Sequence, residues 1–95
     1  MTVRHYYEPD GTLHYAVHGV TEIEVEEALD SPLEILNGER NSKMAIGQTL
    51  AGRYLFVVFV PDEAPDSVFV VTAYELVGNA RAAFNRRMKR KQKKS

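Results

Sequence analysis

Cysteine is absent from this 95-residue chain, which excludes disulfides and thiolate metal sites and fits a reducing compartment. Long apolar runs are absent as well: no stretch reaches the roughly 20 residues that a membrane-spanning helix needs. The polar beginning lacks the basic-then-apolar pattern of a secretory leader. The expectation is therefore a cytoplasmic protein with no membrane partner. The 6 glycines are scattered and compose neither a phosphate-cradling loop nor a dinucleotide fingerprint. No Ser-His-Asp or Cys-His nucleophile arrangement can be assembled, and no internal repeat is visible. What is present is an apolar fraction of 44%, ordinary for a globular protein, in a length that suits one modest core. A single domain over residues 1–90 is expected, with a basic, disordered tail over 91–95.

One further absence is local. From Arg81 to Lys94 there is no acid, while Arg81, Arg86, Arg87, Lys89, Arg90, Lys91, Lys93 and Lys94 all carry positive charge. The net charge of -1 hides this asymmetry. Residues 1–48 hold three bases against nine acids, and residues 49–95 hold nine bases against four acids. A ligand would meet an acidic end and a basic end, and the basic end suits a polyanion such as RNA.

Local patterns give the element order. His5 to Glu8 reads as a short first strand, followed by a turn at Pro9-Asp10-Gly11 with Asp10 as an N-cap. Leu13 to His18 reads as a short helix with Leu13, Ala16 and Val17 inward, closed by Gly19. Thr21 followed three residues later by Glu24 is a capping-box pattern for a second helix, with Val25, Ala28 and Leu29 as its apolar stripe. Pro32 stops it. Leu33 to Leu36 and Lys43 to Leu50 read as strands joined by a tight Asn37-Gly38 hairpin turn. Tyr54 to Val60 is nearly continuous in apolar residues, the mark of a strand buried on both faces, and Val68 to Ala73 repeats the pattern. Asn79 caps a last helix whose Val77, Ala80, Phe84 and Met88 pack on the sheet. The order predicts an α+β domain: two N-terminal helices and a C-terminal helix with a run of antiparallel strands.

Several ordered pieces carry a family likeness. His18-Gly19-Val20 before an acidic helix, Ala45-Ile46-Gly47-Gln48-Thr49, Gly52-Arg53-Tyr54-Leu55, and Val71-Thr72-Ala73 before a basic helix together resemble the BrnT toxins of the RelE/ParE superfamily. The likeness covers about residues 13–90. It implies a small ribonuclease fold of helices packed on a curved antiparallel sheet, with the active surface on the sheet beside the last helix, cleavage of RNA without a metal or other cofactor, and neutralisation by a cognate antitoxin protein. One position departs. Many BrnT-like sequences have a basic residue where Tyr74 follows Thr72-Ala73 here.

Metal-free RNA cleavage needs a base for the 2′-hydroxyl, cations for the charged phosphorane and an acid for the leaving oxygen. Arginine suits the middle task because its planar fork holds phosphate bidentately. The catalytic candidates are Arg53 at the Gly-Arg position, Arg81 and Arg87 on the last helix, and Tyr74, which closes the core edge, stacks on a base or serves as the acid, while His18 caps or packs beside Gly19 or serves as the base. Lys43, Arg86, Lys89 and Arg90 are candidate phosphate contacts. Glu75 is expected to pair with a neighbouring arginine. His14 and His18, four apart, begin a zinc pattern but lack a His-Glu-X-X-His arrangement, so no metal site is expected. A competing reading is a non-catalytic module that binds nucleic acid or protein on the same fold, and a gyrase-inhibiting relative is a third. The sequence is silent on oligomeric state.

Overall fold

The computed structural model describes residues 1–93 and shows an α+β domain, a five-stranded mixed sheet flanked by two α-helices. The strands are β1 (Thr2–His5), β2 (Glu34–Asn37), β3 (Lys43–Gln48), β4 (Tyr54–Pro61) and β5 (Ser67–Glu75), in spatial order β1-β5-β4-β3-β2. β2 through β5 form the expected antiparallel run. β1 differs: it joins the far edge of β5 in parallel, pairing Thr2 with Ser67 and His5 with Val70. A parallel pair needs a long connection, and nearly the whole domain lies between these two strands. β1 also starts earlier than the apolar-aromatic run His5 to Glu8 suggests, leaving Tyr7 with an isolated bridge to Leu13.

Alternation along β4 sorts the sheet into two faces. Leu55, Val57 and Phe59 are buried on one face with Ala45, Val70 and Ala73, beneath α1 (Glu22–Asp30). Full burial of each such Val or Leu contributes about 1.5–3 kcal/mol. Tyr54, Phe56, Val58 and Val60 face the other way and are half-buried. The expectation of a strand buried on both faces is thus met on one face only, because α2 (Gly78–Lys93) covers just one end of the second. There Ile46, Leu76 and Phe84 form a smaller core with Tyr54, Phe56 and Met88. A bulge opposite Val58 and Phe59 leaves Val71 without a partner, so Val70 and Ala73 both reach the α1 face despite their odd spacing.

The α1 helix forms as its sequence dictates. The Thr21 hydroxyl accepts from the Glu24 backbone N–H at 3.2 Å, and the Glu24 carboxylate accepts from the Thr21 N–H at 3.0 Å. Val25, Ala28 and Leu29 are its buried residues.

Four local expectations need correction. His14–His18 is a 3-10 turn, and it buries Tyr15 while Val17 is 81% exposed. At three residues per turn the inward position moves, and the large ring of Tyr15 fills it. Asp10 accepts from the Thr12 N–H in a local turn instead of capping a helix. The β2–β3 connection is not a tight Asn37-Gly38 turn. Its reversal falls at Arg40 and Asn41, both with positive φ, because the register that buries Ala45 and Ile46 pairs Asn37 with Lys43. At the last helix, the Val77 carbonyl accepts from the Arg81 N–H, so Asn79 lies inside α2, and Val77 and Ala80 are exposed. α2 continues to Lys93, so the tail expected from residue 91 begins as helix, and residues 94–95 lie outside the described residues.

Candidate nucleic-acid interface

The second sheet face carries a row of aromatic rings beside α2. Phe56 and Tyr74, paired across β4 and β5, stack with centroids 5.1 Å apart and planes at 24°. His18, delivered by the 3-10 turn, meets Tyr74 edge-on at 5.9 Å. Tyr74 is 39% exposed and His18 is exposed, so this pair opens to solvent. Nearer the helix, Tyr54 packs at 5.7 Å from Phe84, and the Arg81 guanidinium lies 3.8 Å over the Tyr54 ring. Arg81 Nε also donates to Asn85 at 3.3 Å. A groove of about 520 Å³ runs along this contact, lined by Gln48, Tyr54, Asn85, Met88 and Lys89 among others.

The cations divide into two sets. Arg53 is consumed by the fold: its Nη1 donates to the Gly19 carbonyl at 2.9 Å and to both Glu24 oxygens at 3.1 and 2.9 Å, and its Nε lies 3.4 Å from Glu75. Glu75 thus pairs with an arginine, as expected. Two carboxylates already face this one guanidinium, and a phosphate would have to displace one of them. The Glu24 carboxyl sits below its usual range, first through the Thr21 backbone hydrogen bond and then through Arg53. Arg87 is consumed too, donating from Nε and Nη2 to the buried Glu34 at 2.8 and 2.7 Å. That bidentate pair holds the Glu34 carboxyl below its usual range and ties α2 to β2. The Lys91 ammonium stands 4.0 Å from the same carboxylate.

Arg86, Lys89 and Arg90 form the other set. All three are exposed, α2 contains no acid, and none of the three makes an ion pair among the described residues. Lys43 does not join them. It opens β3 at the end of that strand remote from Gln48, and its ammonium donates to Asn37 at 3.0 Å.

Set against protein-family models, curated proteins and solved structures, the chain matches none of them. The site therefore has to be read from its own residues.

Of the sequence-predicted residues, Arg81, Arg86, Lys89 and Arg90 share α2, and Tyr74 shares the sheet face that α2 partly covers. Arg53 and Arg87 face carboxylates at two other places. Sequence reasoning did not find the adjacency of His18 to Tyr74, nor the Phe56 stack, because cross-strand register decides both. The paired histidine idea also dissolves. His14 pairs with Glu8 at 2.5 Å and with the Tyr6 ring at 4.7 Å, while His18 meets Tyr74. Among the described residues no helix is long and apolar enough to cross a membrane.

Proposed function

We propose that this chain is an RNA-binding domain of toxin-like α+β build, with α2 as the phosphate-contacting element and the Phe56–Tyr74 rings as a stacking platform. The observation that carries this reading is the uncompensated charge of Arg86, Lys89 and Arg90 on a helix that partly covers the sheet face bearing half-buried Phe56 and exposed Tyr74. Cations supply sequence-independent affinity for the backbone, and rings accept unstacked bases. The ordered motifs shared with BrnT-like toxins support RNA over other polyanions, and they bring with them a small acidic antitoxin as a protein partner.

A second reading, metal-independent endoribonuclease, is favoured by one specific contact. His18 and Tyr74 stand ring to ring at the open end of the sheet, an imidazole and a phenol within reach of one substrate. Arg53 would have to leave Glu24 to serve the phosphate there, which is why binding is the better supported role.

The test is a labelled mixed-sequence RNA titrated with protein in EDTA at about 50 and about 200 mM salt. Binding should weaken steeply with salt, and the triple substitution Arg86→Ala, Lys89→Ala, Arg90→Ala should reduce the log–log salt slope by about 2, at about 0.7 for each lost phosphate contact. Equal affinity and slope in the triple variant would remove α2 from the interface. The same mixtures resolved on a gel decide the second reading: cleavage by wild type that is lost in His18→Ala makes the domain a ribonuclease, and intact RNA leaves it a binder.

A further inference from the structure

On the sheet face opposite α2 lies a cluster for which RNA binding has no use. His5 ends β1 with a side chain only 6% exposed, and its Nε2 lies 3.1 Å from a Glu26 carboxylate oxygen. Its other ring nitrogen, Nδ1, lies 2.5 Å from the hydroxyl of Tyr15, itself buried. Glu22 opens α1 four residues before Glu26, so both carboxylates leave the same side of the helix. The ligating atoms of His5, Glu22 and Glu26 all lie within 4.8 Å of one another. The Tyr7 hydroxyl donates to Glu22 at the edge of the same cluster.

We propose that His5 Nε2, Glu22 and Glu26 form a divalent transition-metal site, with Zn²⁺ as the preferred ion. Imidazole with carboxylates is a donor set zinc accepts, and three protein ligands leave a fourth position for water. Magnesium and calcium call for oxygen donors throughout and gain little from His5. The Tyr15 hydroxyl supplies what a ligating histidine ordinarily has, a fixed partner on its far nitrogen that orients the ring and leaves Nε2 to the metal.

A His5–Glu26 ion pair and the Tyr7–Glu22 hydrogen bond give each carboxylate a partner but leave the charge of Glu22 without a cation. Like charges four apart on a helix repel, and neither Glu22 nor Glu26 meets a lysine or arginine among the described residues. Tetrahedral zinc needs its ligands about 3.3–3.6 Å apart, so the cluster must close by about 1 Å. His5 and Glu26 already stand 3.1 Å apart, so the separations to close are those to Glu22, whose contact with the Tyr7 hydroxyl would loosen. The bound ion would clip β1 to α1.

The experiment is calorimetric titration of EDTA-stripped, desalted protein with zinc chloride, with thermal unfolding beside it. One ion per chain is expected, with a melting temperature raised by more than about 5 °C at a hundredfold excess over Kd. Glu26→Gln, at an exposed position that leaves the fold intact, should weaken binding by at least about tenfold. His14→Gln removes the other His–carboxylate pair nearby and should change nothing. Absence of binding, equal affinity in Glu26→Gln, or loss of binding in His14→Gln would each overturn the proposal. RNA binding is measured in EDTA, so failure of either claim leaves the other standing.

Discussion

Gly47 shows how tightly single residues constrain this domain. It lies in β3 where α1 crosses, and a Cβ built there would sit 2.0 Å from the Ala28 carbonyl oxygen and 2.7 Å from its carbonyl carbon. Both atoms are helix backbone, so α1 itself would have to move. Gly47→Ala should therefore cost about 1–3 kcal/mol, the range for overpacking a core, read as a lower urea midpoint at unchanged slope. An unshifted midpoint would mean that α1 does not pack this closely. The same residue clarifies what the family-like motifs encode. Gly19 ends the 3-10 turn in left-handed conformation, Val20 and Ala73 are buried, the Thr49 hydroxyl accepts from the Arg53 N–H, and Arg53 clamps α1. These motif positions serve backbone geometry and packing. They were legible as fold because such demands fix residue type and spacing.

Among the elements, α1 is the one whose stability is most local. Thr21→Ala should lose about 1 kcal/mol, while Thr21→Asp should keep nearly all of it, since an aspartate can cap equally well. Equal losses in chemical denaturation would show that the capping hydrogen bond is not what Thr21 contributes. Elements of this kind could be read from the sequence: a capping box, an apolar stripe and a proline stop all lie within twelve residues of one another. β4 and β5 were equally plain from their apolar runs. Elements that depend on distant partners were not. The parallel seating of β1, the 3-10 turn around Tyr15 and the reversal at Arg40-Asn41 are each set by what packs across from them. The candidate interface divides the same way. The charge of α2 and the pairing of Glu75 with an arginine could be read, but the engagement of Arg53 by Glu24 and of Arg87 by Glu34 required the tertiary packing.

For the molecule as a whole, those ion pairs set the response to acid. Glu34, Glu24 and Asp62 all have carboxyls below their usual range: Glu34 through Arg87, Glu24 through the Thr21 backbone first, and Asp62 through the Glu63 backbone first. A carboxyl depressed in the folded state contributes stability that is present above its unfolded pKa, about 4 for such groups, and lost as pH falls through the folded value. Unfolding followed from about pH 5 downward should show stability falling below about pH 4. Glu34→Gln should flatten that limb while lowering stability at neutral pH, and an unchanged acid limb would exclude the Arg87 pair as a contributor. The sheet also imposes an order in time. The hydrogen-bonding partners of Thr2–His5, Ser67–Val70, are made more than sixty residues after it. At ordinary rates of synthesis, about 5–20 residues per second, β1 waits some seconds without a strand to join. During that interval His5 is exposed to whatever the nascent chain meets, and a strand made before its partner must wait for it to find its place.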